Sequence, residues 1–176
     1  GMQTFVKAGF NPHAMPRFCE KLLQVEQYSG EPPQFLMDHP VTESRIADTQ
    51  ARADTLPSPP FHVDMDFLLV RARLKALYIH DPAQAENYFR NLYQGGTNQQ
   101  QMAAGYGLAI AAMRNQHYSK AQTLLETLSR ESPNTWWFTA GFAENAIAST
   151  HFQQAGQILV NLLQLMPGDY ALSVLY

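Results

Sequence analysis

The segment "YSKAQTLLETLSRESP", residues 118–133, returns as "FQQAGQILVNLLQLMP", residues 152–167. Aligned, Tyr118 falls on Phe152, Ala121 on Ala155, Leu125 on Leu159, Leu128 on Leu162 and Pro133 on Pro167, each pair 34 residues apart. A fixed period constrains a fold more than any propensity does. Each copy must form the same supersecondary unit, one that cannot bury its apolar face alone and so stacks on its neighbours. An earlier copy, "PAQAENYFRNLYQGG", places Ala85, Phe89 and Leu92 in the same roles, 36 residues before the next. It has Gly95-Gly96 where the later copies have proline, and this pair reads as a turn.

From Val63 onward the apolar spacing is helical throughout, with no strand-like alternation. The small-large-large-Pro order at this period resembles the tetratricopeptide repeat, a helix-turn-helix unit. The residues make physical sense in that role. Ala121 and Ala155 are small where two helices cross closely, while Leu125 and Leu128 share one face and fill the seam. An arginine at Ala121 or Ala155 is therefore expected to destabilise far more than Lys120→Ala. In the first helix of each unit, Leu108-Ala109 and Phe142-Ala143 match the family's large-small pair, but Gly105 and Thr139 stand where the family favours tryptophan.

The resemblance implies an all-α helical solenoid over residues 63–176, with about three repeats and a fourth beginning at the C-terminus. It also implies a concave surface, lined by the first helices, that takes extended peptides or a partner's helix. The register puts Tyr106, Met113, Arg114, Trp137 and Glu144 on that side. Met113 and Trp137 read equally as core, Trp137 especially because Trp136 and Phe138 flank it; Tyr106 and Arg114 are the stronger binding candidates.

The part before the repeats has a different composition. Residues 1–66 hold five basic and nine acidic side chains, whereas residues 67–176 hold seven and six. It reads as short helices joined by turns: Gly9 can end a first helix, and Met15, Phe18, Leu22 and Val25 mark one face of a second of about three turns. "SGEPPQF" breaks this helix. Thr42 can cap another, running through Ile46, Ala47 and Ala53, until "LPSPP" opens a linker over residues 56–62. The chain starts in apparent helix and ends in the apolar "DYALSVLY", so both ends read as cuts.

The order "AGFNPHAMPRFCEKL", then "FLMDHPVTESRIAD", resembles the end of the catalytic domain in Ste24-like zinc metallopeptidases, in particular the bacterial periplasmic branch in which that domain precedes tetratricopeptide repeats. The resemblance covers residues 1 to about 54. It implies a tail of the metallopeptidase domain at 1–55, a periplasmic location, zinc in the intact parent, and repeats that dock substrates or an outer-membrane assembly partner in protein quality control.

In this family a His-Glu-x-x-His helix supplies two zinc ligands and the general base. The six histidines here include no two spaced by four, so no helix presents paired nitrogens to zinc, and the chain is expected to hold no cofactor and to be inactive alone. His39 and Arg45 then have two readings. In one, they face the metal cleft of the intact parent, His39 as an extra zinc ligand and Arg45 positioning a carboxylate or carbonyl through its fork of donors. In the other, Pro40 stiffens a turn, His39 caps a backbone group, and Arg45 pairs with Asp48 or Glu43.

Other classes are disfavoured. The formal charge is −3 without any run of like sign, which offers nucleic acid no footprint. Cys19 is the single cysteine; on an apolar helical face it reads as a small buried hydrophobe rather than a nucleophile. No apolar run approaches the ~20 residues that span a bilayer. Two functions remain: the C-terminal portion of a zinc metalloendopeptidase with a docking array, or a non-catalytic repeat scaffold that binds peptides or partner proteins.

Overall fold

A computed structural model of the chain describes residues 1–29, 43–58, 64–96, 98–168 and 173. His39, the break at "SGEPPQF", the cap at Thr42, the end of the linker and most of "DYALSVLY" lie outside the described residues. Among those described, every regular element is a helix, and the contacts divide the chain into two units, Gly1–His62 and Val63–Tyr176.

In the first unit, α1 (Met2–Lys7) stops as expected at Gly9, whose φ of +86° is the left-handed conformation that glycine adopts without penalty. The amides of Gly9 and Phe10 return to the carbonyls of Val6 and Phe5 at 2.9 and 3.2 Å. Asn11 Oδ1 accepts the amide of His13 at 2.9 Å, which turns the chain into α2 (Ala14–Ser29). α3 (Glu43–Asp54) packs on α2. The apolar face expected on α2 is only partly covered: Phe18 and Val25 stay 55% and 50% exposed, whereas Pro12, Pro16 and Ala53 are buried. The reason lies in where the helices meet, since the His13 ring at the start of α2 reaches Gln50 and Asp54 at the end of α3, at 3.2 and 3.6 Å.

The second unit is three stacked hairpins: α4 (Met65–Tyr78) with α5 (Pro82–Tyr93), α6 (Asn98–Arg114) with α7 (Tyr118–Glu131), and α8 (Trp136–Ala148) with α9 (Phe152–Leu165). Local chemistry starts each helix of the first pair. Asp64 and Asp81 accept the amides of Asp66 and Ala83 at 2.9 Å, and Pro82 occupies the first turn of α5, where no donor is lost.

The turns inside the next two hairpins are copies of each other. Gln116 and Thr150 adopt φ of +61° and +67°, and the following amides, of His117 and His151, reach back to Ala112 and Ala146 at 2.8 and 2.7 Å. The 34-residue period is thus repeated in backbone conformation as well as in side chains.

The expected seam residues are in the core. Ala121, Leu125 and Leu128 are fully buried, and Ala155, Leu159 and Leu162 nearly so. Burying each leucine contributes about 2 kcal/mol. Helix α6 carries hairpins on both sides, so Ala103 to Met113 form an unbroken buried run, rich in alanine and glycine because helices approach it from two directions. A Cβ added to Gly107 would sit 2.3 Å from the Phe89 ring, and one added to Gly141, 34 residues on, 2.8 Å from Leu125 Cδ2.

The first copy departs from the expected register at its end. Phe89 is buried, but Leu92 is 46% exposed where its counterpart Leu128 is fully covered. Tyr93 packs into the core instead, its ring against Gly105, where an added Cβ would lie 2.9 Å away; this contact leaves no room for a tryptophan at 105. The two additional residues of this copy are accommodated around Gly95 and Gly96, the latter at φ +98°.

Candidate functional site

One residue from each first helix meets on the side assigned to the groove. Arg73 of α4 directs its fork at Glu144 of α8, with Nη1 to Oε2 at 2.9 Å and Nη2 to Oε1 at 2.8 Å. The same Nη1 donates to the Tyr106 hydroxyl of α6 at 3.1 Å. A second link runs parallel, from Trp137 Nε1 of α8 to Asp66 Oδ1 of α4 at 2.9 Å. Both links join residues 71 apart and so pass over the middle helix. The Trp137 ring stands edge-on to Tyr106, with centroids 6.2 Å apart, and stacks on Trp136 at 4.3 Å.

The electrostatics match this closure. Burial pushes the Tyr106 phenol up to about 12, with the nearby Glu144 charge acting the same way. Burial on its own would lower the Arg73 guanidinium, but the hydrogen bond and charge of Glu144 outweigh it and raise it above its ordinary value. The guanidinium and the phenol therefore keep their protons across the physiological range.

The residues expected on the concave side already have places within the fold. Tyr106 is fully buried and Met113 is 8% exposed, because α6 is covered from both sides. Arg114 spends its donors on the carbonyls of Ala76, Ile79 (2.7 Å) and His80 (3.2 Å), where it caps the end of α4. Glu144 is paired with Arg73 and the Trp137 indole donates to Asp66, so these two and Tyr106 belong to a clasp across the first helices, while Met113 packs in the core and Arg114 caps α4. Arg45 is exposed on α3; Asp48, one of its two expected partners, is held by Arg52 at 3.0 and 3.1 Å.

A second polar cluster escaped sequence reasoning. Glu86 on α5 is 3% exposed, yet it accepts from Asn115 Nδ2 at 2.9 Å, from His117 Nδ1 at 2.6 Å and from Lys120 Nζ. Burial would raise its carboxyl, but the bonds from Lys120, Asn115 and His117 and the Lys120 charge outweigh it and hold the group at about 2. Lys120, whose loss is the milder comparison to arginine at Ala121, is thus a partner of a buried charge. The available signal was a glutamate beside the core position Ala85.

A third feature is a cleft of about 650 Å³ where α4, α5 and the Gly95-Gly96 turn converge at the start of α6, lined in part by Arg71, Lys75, Tyr88 and Leu92. Among the described residues no group of three His, Cys, Asp or Glu side chains comes close enough to hold a metal ion, and Cys19 is a half-buried lone thiol. No described helix is long and apolar enough to cross a membrane.

Residues 77–137 match the family model of the tetratricopeptide repeat. The chain is 36% identical over 138 residues to the β-barrel assembly-enhancing protease of Escherichia coli and 32% identical over 138 residues to that of Yersinia pestis, covering 78% of this chain and 28% of each relative. A putative β-barrel assembly-enhancing protease of Vibrio cholerae is 32% identical over 139 residues, 78% of this chain and 29% of that protein. The match therefore spans well under a third of those relatives' length. With its three stacked hairpins, the chain is a tetratricopeptide-repeat protein related to the corresponding part of the β-barrel assembly-enhancing proteases.

Proposed function

We propose that the chain is the repeat-bearing C-terminal portion of a periplasmic zinc metalloendopeptidase of the β-barrel assembly-enhancing type, and that its hairpins dock substrate proteins or the outer-membrane assembly machinery. The observation that carries this reading is the clasp from α4 over α6 to α8. Two parallel links hold three first helices in one arrangement, and a preorganised platform loses little freedom when a partner binds. The names of the relatives supply the association with β-barrel assembly and proteolysis.

In this reading the catalytic zinc belongs to residues outside this chain, and the chain's own part is to bind and orient. His39 and Arg45 would stand beside that metal in the intact enzyme, with His39 as an additional ligand, so His39→Ala in the full-length protein should alter proteolysis while the fold persists. Unchanged proteolysis by that variant would remove His39 from the site.

Titration of the purified chain against detergent-solubilised β-barrel assembly machinery, and separately against an unfolded outer-membrane β-barrel protein, tests the docking function. Saturable binding to either supports it, and binding to neither overturns it.

A further inference from the structure

The cleft at α4, α5 and the Gly95-Gly96 turn has a chemistry of its own. Arg71 and Lys75 lie one turn apart on α4, and both line it. Like charges at this spacing repel by a few tenths of a kcal/mol. Among the described residues no acidic side chain lines the cleft, and neither cation has a carboxylate within ion-pair distance. Their heads are instead held over aromatic faces, Arg71 5.7 Å from the Phe67 ring and Lys75 5.4 Å from the Tyr88 ring. Every other cation of α4 has a carboxylate: Arg73 is paired with Glu144.

The walls supply the second half of a recognition surface. Tyr88 and Leu92 remain 43% and 46% exposed, and Phe67 is 60% exposed beside Arg71. Leu92 is uncovered because this copy of the repeat is two residues longer and turns through Gly95-Gly96 where the later copies have proline. The irregularity of the first repeat thus creates the opening. At 3.6 residues per turn, Arg71 and Lys75 each point about 160° around α4 from Arg73, so the cleft lies on the opposite face of the helix from the clasp.

We propose that this cleft is a docking site for an acidic peptide segment of a partner protein, one in which Asp or Glu flanks an aromatic or aliphatic side chain. The carboxylates pair with the Arg71 fork and the Lys75 ammonium, and the apolar side chain packs on Tyr88 and Leu92. A volume of about 650 Å³ suits one or two such side chains. The occupant is acidic because, among the described residues, two cations and no acid line the site, and it is a peptide because the apolar walls give a bare anion nothing to bury. The proposal rests on the docking reading and specifies the chemistry of the docked segment.

The test is fluorescence anisotropy of the full chain with a short labelled peptide containing Glu-Phe-Glu, its Gln-Phe-Gln analogue, and its Glu-Ala-Glu analogue. The expected result is saturable, salt-sensitive binding of the first, at least about tenfold weaker for either analogue and for Arg71→Gln/Lys75→Gln. Both cations are exposed, so this variant should keep its circular dichroism spectrum and melting temperature. Arg71→Glu/Lys75→Glu should prefer a Lys-Phe-Lys peptide, a reversal that damage to the fold cannot produce. Equal binding of the Gln-Phe-Gln peptide, unaltered binding by the double Gln variant, or displacement by inorganic phosphate at comparable concentration overturns the proposal. If the variant still binds the assembly machinery or an unfolded barrel protein as the parent does, this cleft is not the docking site, although docking itself stands. If the acidic peptide binds through Arg71 and Lys75 while the chain binds neither of those partners, the docking reading fails and the site remains.

Discussion

Glu86 keeps its charge inside the protein because three donors converge on it, and that arrangement has a pH signature. Its carboxyl is held at about 2 against an ordinary value of 4.5, so the folded state favours the ionised form. The stabilisation is complete above pH ~4.5 and is lost as pH falls towards about 2, on the order of 3 kcal/mol in all. Thermal melts of the parent should therefore lose more stability across that interval than melts of Glu86→Gln, and parallel curves would refute the assignment. Lys120→Ala removes the nearer cation from the buried carboxylate, leaving Arg90 at 3.7 Å, and should cost ~2 kcal/mol, not the negligible amount expected of a surface lysine. Arg73→Met should cost a similar ~2 kcal/mol by orphaning Glu144 and the Tyr106 hydroxyl, with part of it recovered in Arg73→Met/Glu144→Gln.

At the scale of the helix, the same change at two glycines should have opposite effects. Gly107 lies in α6 with the Phe89 ring where a methyl group would go, so Gly107→Ala should destabilise by ~1–3 kcal/mol. Gly156 lies within α9 with open space around it, so Gly156→Ala should stabilise by ~1 kcal/mol through helix propensity alone. Chemical denaturation of both variants checks the pair. The seam residues Ala121, Leu125 and Leu128 were legible in the sequence because a period preserves side-chain size. Leu92 was misplaced because two additional residues shift what the end of α5 faces, and the period alone cannot tell which neighbour fills the gap.

For the whole repeat unit, buried residues group into two cores. The larger runs from α4 to Phe138, and a smaller one, centred on Ala140, Ala143, Leu159 and Leu162, holds α8 to α9. Helix α8 is tied to α4 by the clasp, whereas α9 is held by the smaller core alone, so α9 can open without the rest. Hydrogen exchange should therefore find the amides of α6 slowest and those of α9 fastest; uniform protection would mean a single cooperative unit. The purified chain should also bind no stoichiometric zinc by elemental analysis, since its histidines lack the necessary spacing.

The sequence alone determined that this chain is helical, that its second part is built from hairpins of about 34 residues, and which small and large residues form their seams. These properties depend on spacing along one helix or on size repeated at a fixed period, both local to the chain. Only the tertiary structure decided the fate of the polar residues. Arg73 and Glu144 are 71 residues apart, and nothing in either neighbourhood specifies the other. They meet because stacking of the hairpins brings α4 and α8 within reach across α6, which buries Tyr106 beneath the pair. The same stacking, two residues out of period at Gly95-Gly96, leaves Arg71 and Lys75 beside a cleft where no described acidic residue neutralises them.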